Sequence, residues 1–156
     1  MNKINNSNLT PYLALFWLVF WLFNGLDKFL YQTDMGVLTW YGKDRGWQFL
    51  TYITNMKLSV DLVGPILWFA GIWEVVVSLF FAAFLWSQVS NQNQSKNRNL
   101  RIYDIALKIS LLTFTGFCAF DIVVGDRAEL LEHSTYIGVV GVSYLISHVE
   151  KIMSNS

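Results

Sequence analysis

Apolar residues gather into long runs in this chain, and four such runs set the expected architecture: residues 11–31, 61–86, 103–124 and 131–149. A helix rises about 1.5 Å per residue and a hydrocarbon core is about 30 Å thick, so roughly 20 apolar residues span it. The first three runs meet that length. The fourth has a shorter apolar centre, with Glu132, His133 and His148 near its ends. The pattern therefore predicts an all-α, polytopic membrane protein, a single domain built as a bundle of four transmembrane helices. Pro11 suits the first turn of the first helix, with Thr10 as its N-cap. That run lacks a small-residue cleavage site after it and reads as a retained helix. Between the first two runs, Trp40, Tyr41, Trp47, Phe49 and Tyr52 mix with charges. Such a mixture suits an aromatic interfacial segment lying in the headgroup plane, a lid over the mouth of the bundle.

Composition sharpens this picture. Only 14% of the residues are charged and 54% are hydrophobic, against about 25% charged in soluble domains. The formal net charge is zero, which argues against a nucleic-acid surface, since that needs a basic excess. The one cysteine, Cys118, excludes an intramolecular disulfide and any thiol chemistry that needs a CxxC pair. Two histidines, His133 and His148, starve a histidine-only metal site. They stand about 22 Å apart on one helix, too far to ligate one iron from a single chain.

The polar linker 87–99 and Arg101 place cations beside membrane ends, so the positive-inside rule puts the linker in the cytoplasm. Four spans then bring both termini to the same side, in agreement with Lys3 and Lys151.

Glu74 interrupts the second run and, by that run's length, falls near the bilayer midplane. An ionisable group there is protonated, paired or facing a wet cavity. Ala70, Gly71 and Ser78 give it a face of small neighbours, which suits either a hydrogen bond across a helix interface or a proton-carrying, ligand-orienting carboxyl. Asn24, Asp27, Lys28 and Tyr31 recur at spacings of three and four on the first helix. They read either as snorkelling at a helix end or as an inward polar face. Lys28 is the candidate partner of Glu74 only where helix packing brings an outer-end residue inward, which length arithmetic makes a stretch. Asp126, Glu129, Glu132 and His133 offer cation ligands by type, but they read better as a solvated turn with Asp126 capping the following helix. No metal site is assigned. Ser134, Gly138 and Gly141 form a small-residue stripe suited to helix packing, and Asp104 and Lys108 form an i, i+4 pair.

Leu22-Phe-Asn-Gly-Leu-Asp-Lys-Phe-Leu30, followed in the next span by Gly71-Ile-Trp-Glu74, resembles the DoxX-like family of small four-helix membrane proteins. The resemblance covers the first two spans and places Gly25, Lys28 and Glu74 at that family's recurrent positions. It implies a four-helix topology with cytoplasmic termini and, for some members, a small subunit in quinone-coupled redox work.

The chain is thus expected to be a bacterial inner-membrane protein, an accessory or small subunit of a membrane redox assembly, with no cofactor fingerprint of its own. Glu74, Asn24, Lys28, Asp27 and Trp73 are the expected ligand-binding residues. They would hold a quinone, lipid or similar amphiphile against aromatic walls such as Trp21, Trp68 and Trp73. Beyond the lipid bilayer, the expected partners are other membrane subunits or further copies of the chain. The alternative is a structural subunit on the periphery of a larger complex, favoured by seven tryptophans and twelve phenylalanines. A cavity lined around Glu74 separates binding from scaffolding. A proton path or transporter needs polar groups at successive depths, and the third run offers only Ser110, Thr113 and Thr115.

Overall fold

A computed structural model describes residues 8–90 and 96–155. The centre of the expected linker, residues 91–95, lies outside the described residues, as does Lys3. Five α-helices are present among the described residues: α1 (Thr10–Leu30), α2 (Arg45–Asn55), α3 (Val63–Ser90), α4 (Lys96–Val124) and α5 (Arg127–Asn155). Three segments are long and apolar enough to cross a membrane: Thr10–Leu30, Val60–Ser90 and Leu100–Val124, with mean hydropathies of 1.5, 2.0 and 1.8. α5 is as long as α4 but outside this set.

Helix α1 packs along α3, α3 on α4 and α4 on α5, and α1 touches α5 to close the ring. The buried positions of α1, namely Thr10, Ala14, Trp17, Trp21 and Gly25, form one helical stripe. That stripe meets Val77, Phe81 and Phe84 of α3, Tyr103, Leu107 and Phe114 of α4 and Val140 of α5 in a single core. Two buried indoles lock the ring with hydrogen bonds: Trp17 Nε1 donates to Ser143 Oγ at 3.1 Å and Trp21 Nε1 to Ser110 Oγ at 2.9 Å. Both partners are serines, one on the adjacent α5 and one on α4 across the ring, and they satisfy the buried indoles.

The sequence pattern and the structure differ in several places. α3 and α4 run into the polar linker from both sides, because lipid sets the apolar run and the backbone continues the helix beyond it. Thr10 is not the N-cap. α1 begins at Thr10 with Leu9 in the capping position and no side-chain cap of its own. A carboxylate from the far end of the chain serves instead: Glu150 accepts from Leu9 N at 2.5 Å and from Thr10 Oγ1 at 2.7 Å. This suits the positive end of the α1 dipole and joins the two described ends of the chain at one end of the bundle, here the termini end. At the opposite, loop end the α1–α3 connection contains a two-stranded hairpin, β1 (Thr33–Asp34) and β2 (Thr39–Trp40), which the all-α reading omits. Asp126 does cap α5, accepting from the backbone of Ala128 and Glu129 at 3.0 Å each. Gly138 and Gly141 face outward with nothing within 4 Å of an added Cβ, so the small-residue stripe does not pack inside the bundle.

α1 and α3 approach most closely where two glycines face each other. A Cβ on Gly25 would lie 2.9 Å from the Gly71 carbonyl oxygen, and one on Gly71 would lie 2.5 Å from the Phe29 ring. Gly25→Ala should therefore push the helices apart and destabilise the protein by about 1–3 kcal/mol, as overpacking does. Gly116→Ala, which meets open space, should stay within about 0.5 kcal/mol of wild type. Thermal unfolding in detergent measures both, and equal losses would contradict the close packing.

Candidate functional site: a lidded cavity at the loop end

The antiparallel register of α1 on α3 places Gly25 beside Gly71 and Val75, and Trp17 beside Phe81. Glu74 therefore stands opposite the level of Asn24. Lys28 lies one turn further out, but side chains on a helix lean toward its N-terminus. Its stem folds back so that Nζ donates to the Asn24 carbonyl at 3.2 Å and to Glu74 Oε2 at 2.5 Å. The Lys28 and Glu74 side chains are only 7% and 4% exposed. The pair that length arithmetic makes a stretch forms because α3 extends past the end of α1 and Lys28 folds inward. Glu74 lies near the centre of the apolar segment Val60–Ser90, while Gly25, at its level, precedes the end of α1 by only about 8 Å.

A cavity of about 60 Å³ adjoins the pair. Phe20, Trp21, Phe114, Phe117 and Tyr136 form its apolar wall, and Asn24, Lys28, Glu74, Asp121 and His133 its polar one. His133 Nδ1 lies 2.6 Å from Asp121 Oδ2, and Nε2 lies 3.8 Å from Glu129 Oε2.

The roof is α2. Asp44 caps it by accepting from Trp47 N at 2.8 Å. Tyr52 and Ile53 are its buried residues. Arg45, Gln48, Phe49 and Tyr52 line the cavity. Glu129 on α5 gathers this lid: it pairs with Lys43, accepts from Arg45 Nη1 at 3.2 Å and from Gln48 Nε2 at 3.1 Å. Tyr52 donates its hydroxyl to Asp126 at 2.5 Å. Arg45 Nε is buried with no acceptor among the described residues.

Of the expected site residues, Glu74, Lys28 and Asn24 meet at this cavity, and Asp27 and Trp73 do not. Asp27 and Lys28 are adjacent, hence about 100° apart around the helix, so Asp27 turns toward the hairpin. There it accepts from Trp40 Nε1 at 2.8 Å and Lys43 N at 3.2 Å, which positions Lys43 for Glu129. Gly42 makes this possible: its φ is +53°, and a Cβ would fall 2.1 Å from Asp27 Oδ1. Trp73 donates to Thr113 Oγ1 at 2.9 Å and ties α3 to α4. Of the expected aromatic walls only Trp21 lines the cavity, while Trp68 packs on Phe29 and is otherwise exposed. The solvated-turn reading missed Glu129 and His133, which face inward. An available signal was Asp121, an acid within an apolar run that calls for a partner.

No family model, curated protein or solved structure matches the chain.

Two outcomes are expected. Lys28→Met leaves a buried carboxylate without its cation and should cost about 3–5 kcal/mol, most of it recovered in Lys28→Met/Glu74→Leu. Unfolding in mixed micelles checks this, and additive losses would contradict the pairing. The second concerns pH. Burial pushes the Glu129 carboxyl up, but Lys43, Arg45 and Gln48 outweigh it and leave it below the usual carboxylate range. The Tyr52 hydrogen bond lowers Asp126, while burial and Asp126 raise the Tyr52 phenol so that it keeps its proton. Depressed carboxyls stabilise the docked lid fully above their ordinary value of about 4 and lose that stabilisation as pH falls through the lowered value. A fluorophore on Thr51→Cys, on the exposed side of α2, should report a docked lid from neutral pH down to about 5 and release below about 4. A signal unchanged down to pH of about 2 would contradict the lid's dependence on these carboxylates.

Proposed function

We propose that the chain is a four-span membrane protein of DoxX-like kind. It binds the polar head of a quinone, or of a similar amphiphile, in the Glu74 cavity, as an accessory or small subunit of a membrane redox assembly. The supporting observation is the juxtaposition of an aromatic wall with a buried ammonium–carboxylate pair under a charged lid. A quinone head is flat and carries carbonyl acceptors. Trp21, Phe114 and Tyr136 offer ring faces, and Lys28, Asn24 and the unsatisfied Arg45 Nε offer donors. A buried donor without an acceptor costs about 1–3 kcal/mol, which a bound carbonyl relieves. Glu74 is the proton-accepting or hydrogen-bonding group in this reading, and a partner subunit supplies the electrons.

Ligand sites usually offer roughly 300 Å³ or more, so at about 60 Å³ the cavity corresponds to a closed form. Access then requires α2 to lift. The same reading makes α5 the fourth span and puts the termini in the cytoplasm of a bacterial inner membrane, by the positive-inside rule. A structural subunit is the second reading. The exposure of Trp68, Phe69 and Trp86 on α3, at 62%, 72% and 73%, favours it.

The test is titration of a short-tailed benzoquinone into the detergent-solubilised protein, followed by tryptophan quenching. Wild type should bind saturably and Glu74→Gln at least tenfold more weakly. Glutamine keeps an oxygen for Lys28 but not its counter-charge, so circular dichroism should show the helices retained at lowered thermal stability. Equal binding by the two proteins would sink the Glu74 site, and no binding by either would favour the structural subunit.

A further inference from the structure

We propose that the termini end of the bundle carries a second site, for the phosphate headgroup of an anionic phospholipid, in the groove between α4 and α5. It lies at the opposite end from the Glu74 cavity and does not depend on the ligand proposed for that cavity, but it rests on the proposed topology in which α5 is a span and the termini are cytoplasmic. The groove measures about 140 Å³, and Arg101, Asp104, Tyr144, Ser147, His148 and Lys151 line it.

The charge balance there points to an anion. Asp104 accepts from Lys108 at 2.7 Å, and Glu150 is occupied by the start of α1. Glu150 is thus engaged elsewhere, and Asp104, which lines the groove, is neutralised by Lys108. Arg101 and Lys151 have no acidic partner within ion-pair distance among the described residues. Two cations and an imidazole therefore share one groove with a tyrosine and a serine hydroxyl. A guanidinium fork, an ammonium and a phenol are a donor set that phosphate oxygens take, while the Ser147 hydroxyl is donated to the Tyr144 carbonyl at 2.8 Å.

The continuation of the groove selects a lipid over a soluble anion. Ile105 and Leu112 follow Arg101 along the same face of α4 and are 47% and 70% exposed, with Lys108 between them tied back to Asp104. Gly141 precedes His148 on the corresponding face of α5, and an added Cβ there meets nothing within 4 Å. The cationic mouth is thus flanked by exposed apolar side chains of α4 and an open glycine face of α5, surfaces that take an acyl chain beside the headgroup. Basic pockets between spans at a cytoplasmic membrane surface commonly hold anionic headgroups.

Native mass spectrometry of the full chain, delipidated in a non-ionic detergent and offered equal phosphatidylglycerol and phosphatidylcholine, tests the site. The anionic lipid should be retained at least tenfold over the zwitterionic one. Arg101→Gln/Lys151→Gln should bring the two to parity, and Arg101→Lys/Lys151→Arg should keep the preference. A parallel arm measures protection against thermal unfolding by inorganic phosphate, which should fall well short of the lipid's. Equal retention of the two lipids by wild type, or a preference surviving in the glutamine variant, would overturn the site. Protection by inorganic phosphate equal to that of the lipid would overturn the lipid assignment. Should the glutamine variant fail to fold, the wild-type preference and the conservative variant decide the matter.

Discussion

The ion pair between Lys28 and Glu74 constrains the rest of this fold. Neither group tolerates isolation in an apolar bundle: an unpaired buried charge costs several kcal/mol, and the pair is tolerable only when close and further hydrogen-bonded. Contact between them requires one register of α1 on α3, and that register requires two backbones to approach without side chains between them. Gly25 and Gly71 allow the approach. The aromatic core below and the cavity beside the pair both follow from the same alignment.

Charge also governs the loop end. Glu129, at the start of α5, draws Lys43, Arg45 and Gln48 from the α1–α3 connection, and Asp126 takes the Tyr52 hydroxyl. Two neighbouring acids thereby hold a short amphipathic helix across the mouth of the bundle. Asp27, behind them, fixes the hairpin that delivers Lys43. The lid rests on polar contacts and a small apolar footprint, Tyr52 and Ile53 being its buried residues. Such an element opens more readily than a helix of the core.

The long helices were legible because uninterrupted apolar runs at membrane length carry their own signal. A lid over the mouth of the bundle was legible from the aromatics mixed with charges in α2, whose Arg45, Gln48, Phe49 and Tyr52 line the cavity. What the sequence concealed was tertiary. The cap of α1 comes from Glu150, at the other end of the chain, so Thr10 misled. Asp27 and Lys28 share a helix end but not a face, and only the packing of α3 and the hairpin shows which side each takes. Glu129 and His133 look like a solvated turn until α2, far earlier in the chain, folds over them. The glycines of α5 look like a packing stripe, yet the core takes α5 by Val140 and Ser143 and leaves those glycines outside.

Infrared spectroscopy of the protein in lipid at neutral pH tests the ion pair most directly, by comparing wild type with Glu74→Gln and Lys28→Met. An ionised pair predicts that Glu74→Gln removes no protonated-carboxyl band, because wild type has none from Glu74, and that Lys28→Met makes such a band appear. A protonated-carboxyl band present in wild type and lost in Glu74→Gln would contradict the ion pair on which the register, the cavity and its proposed use depend.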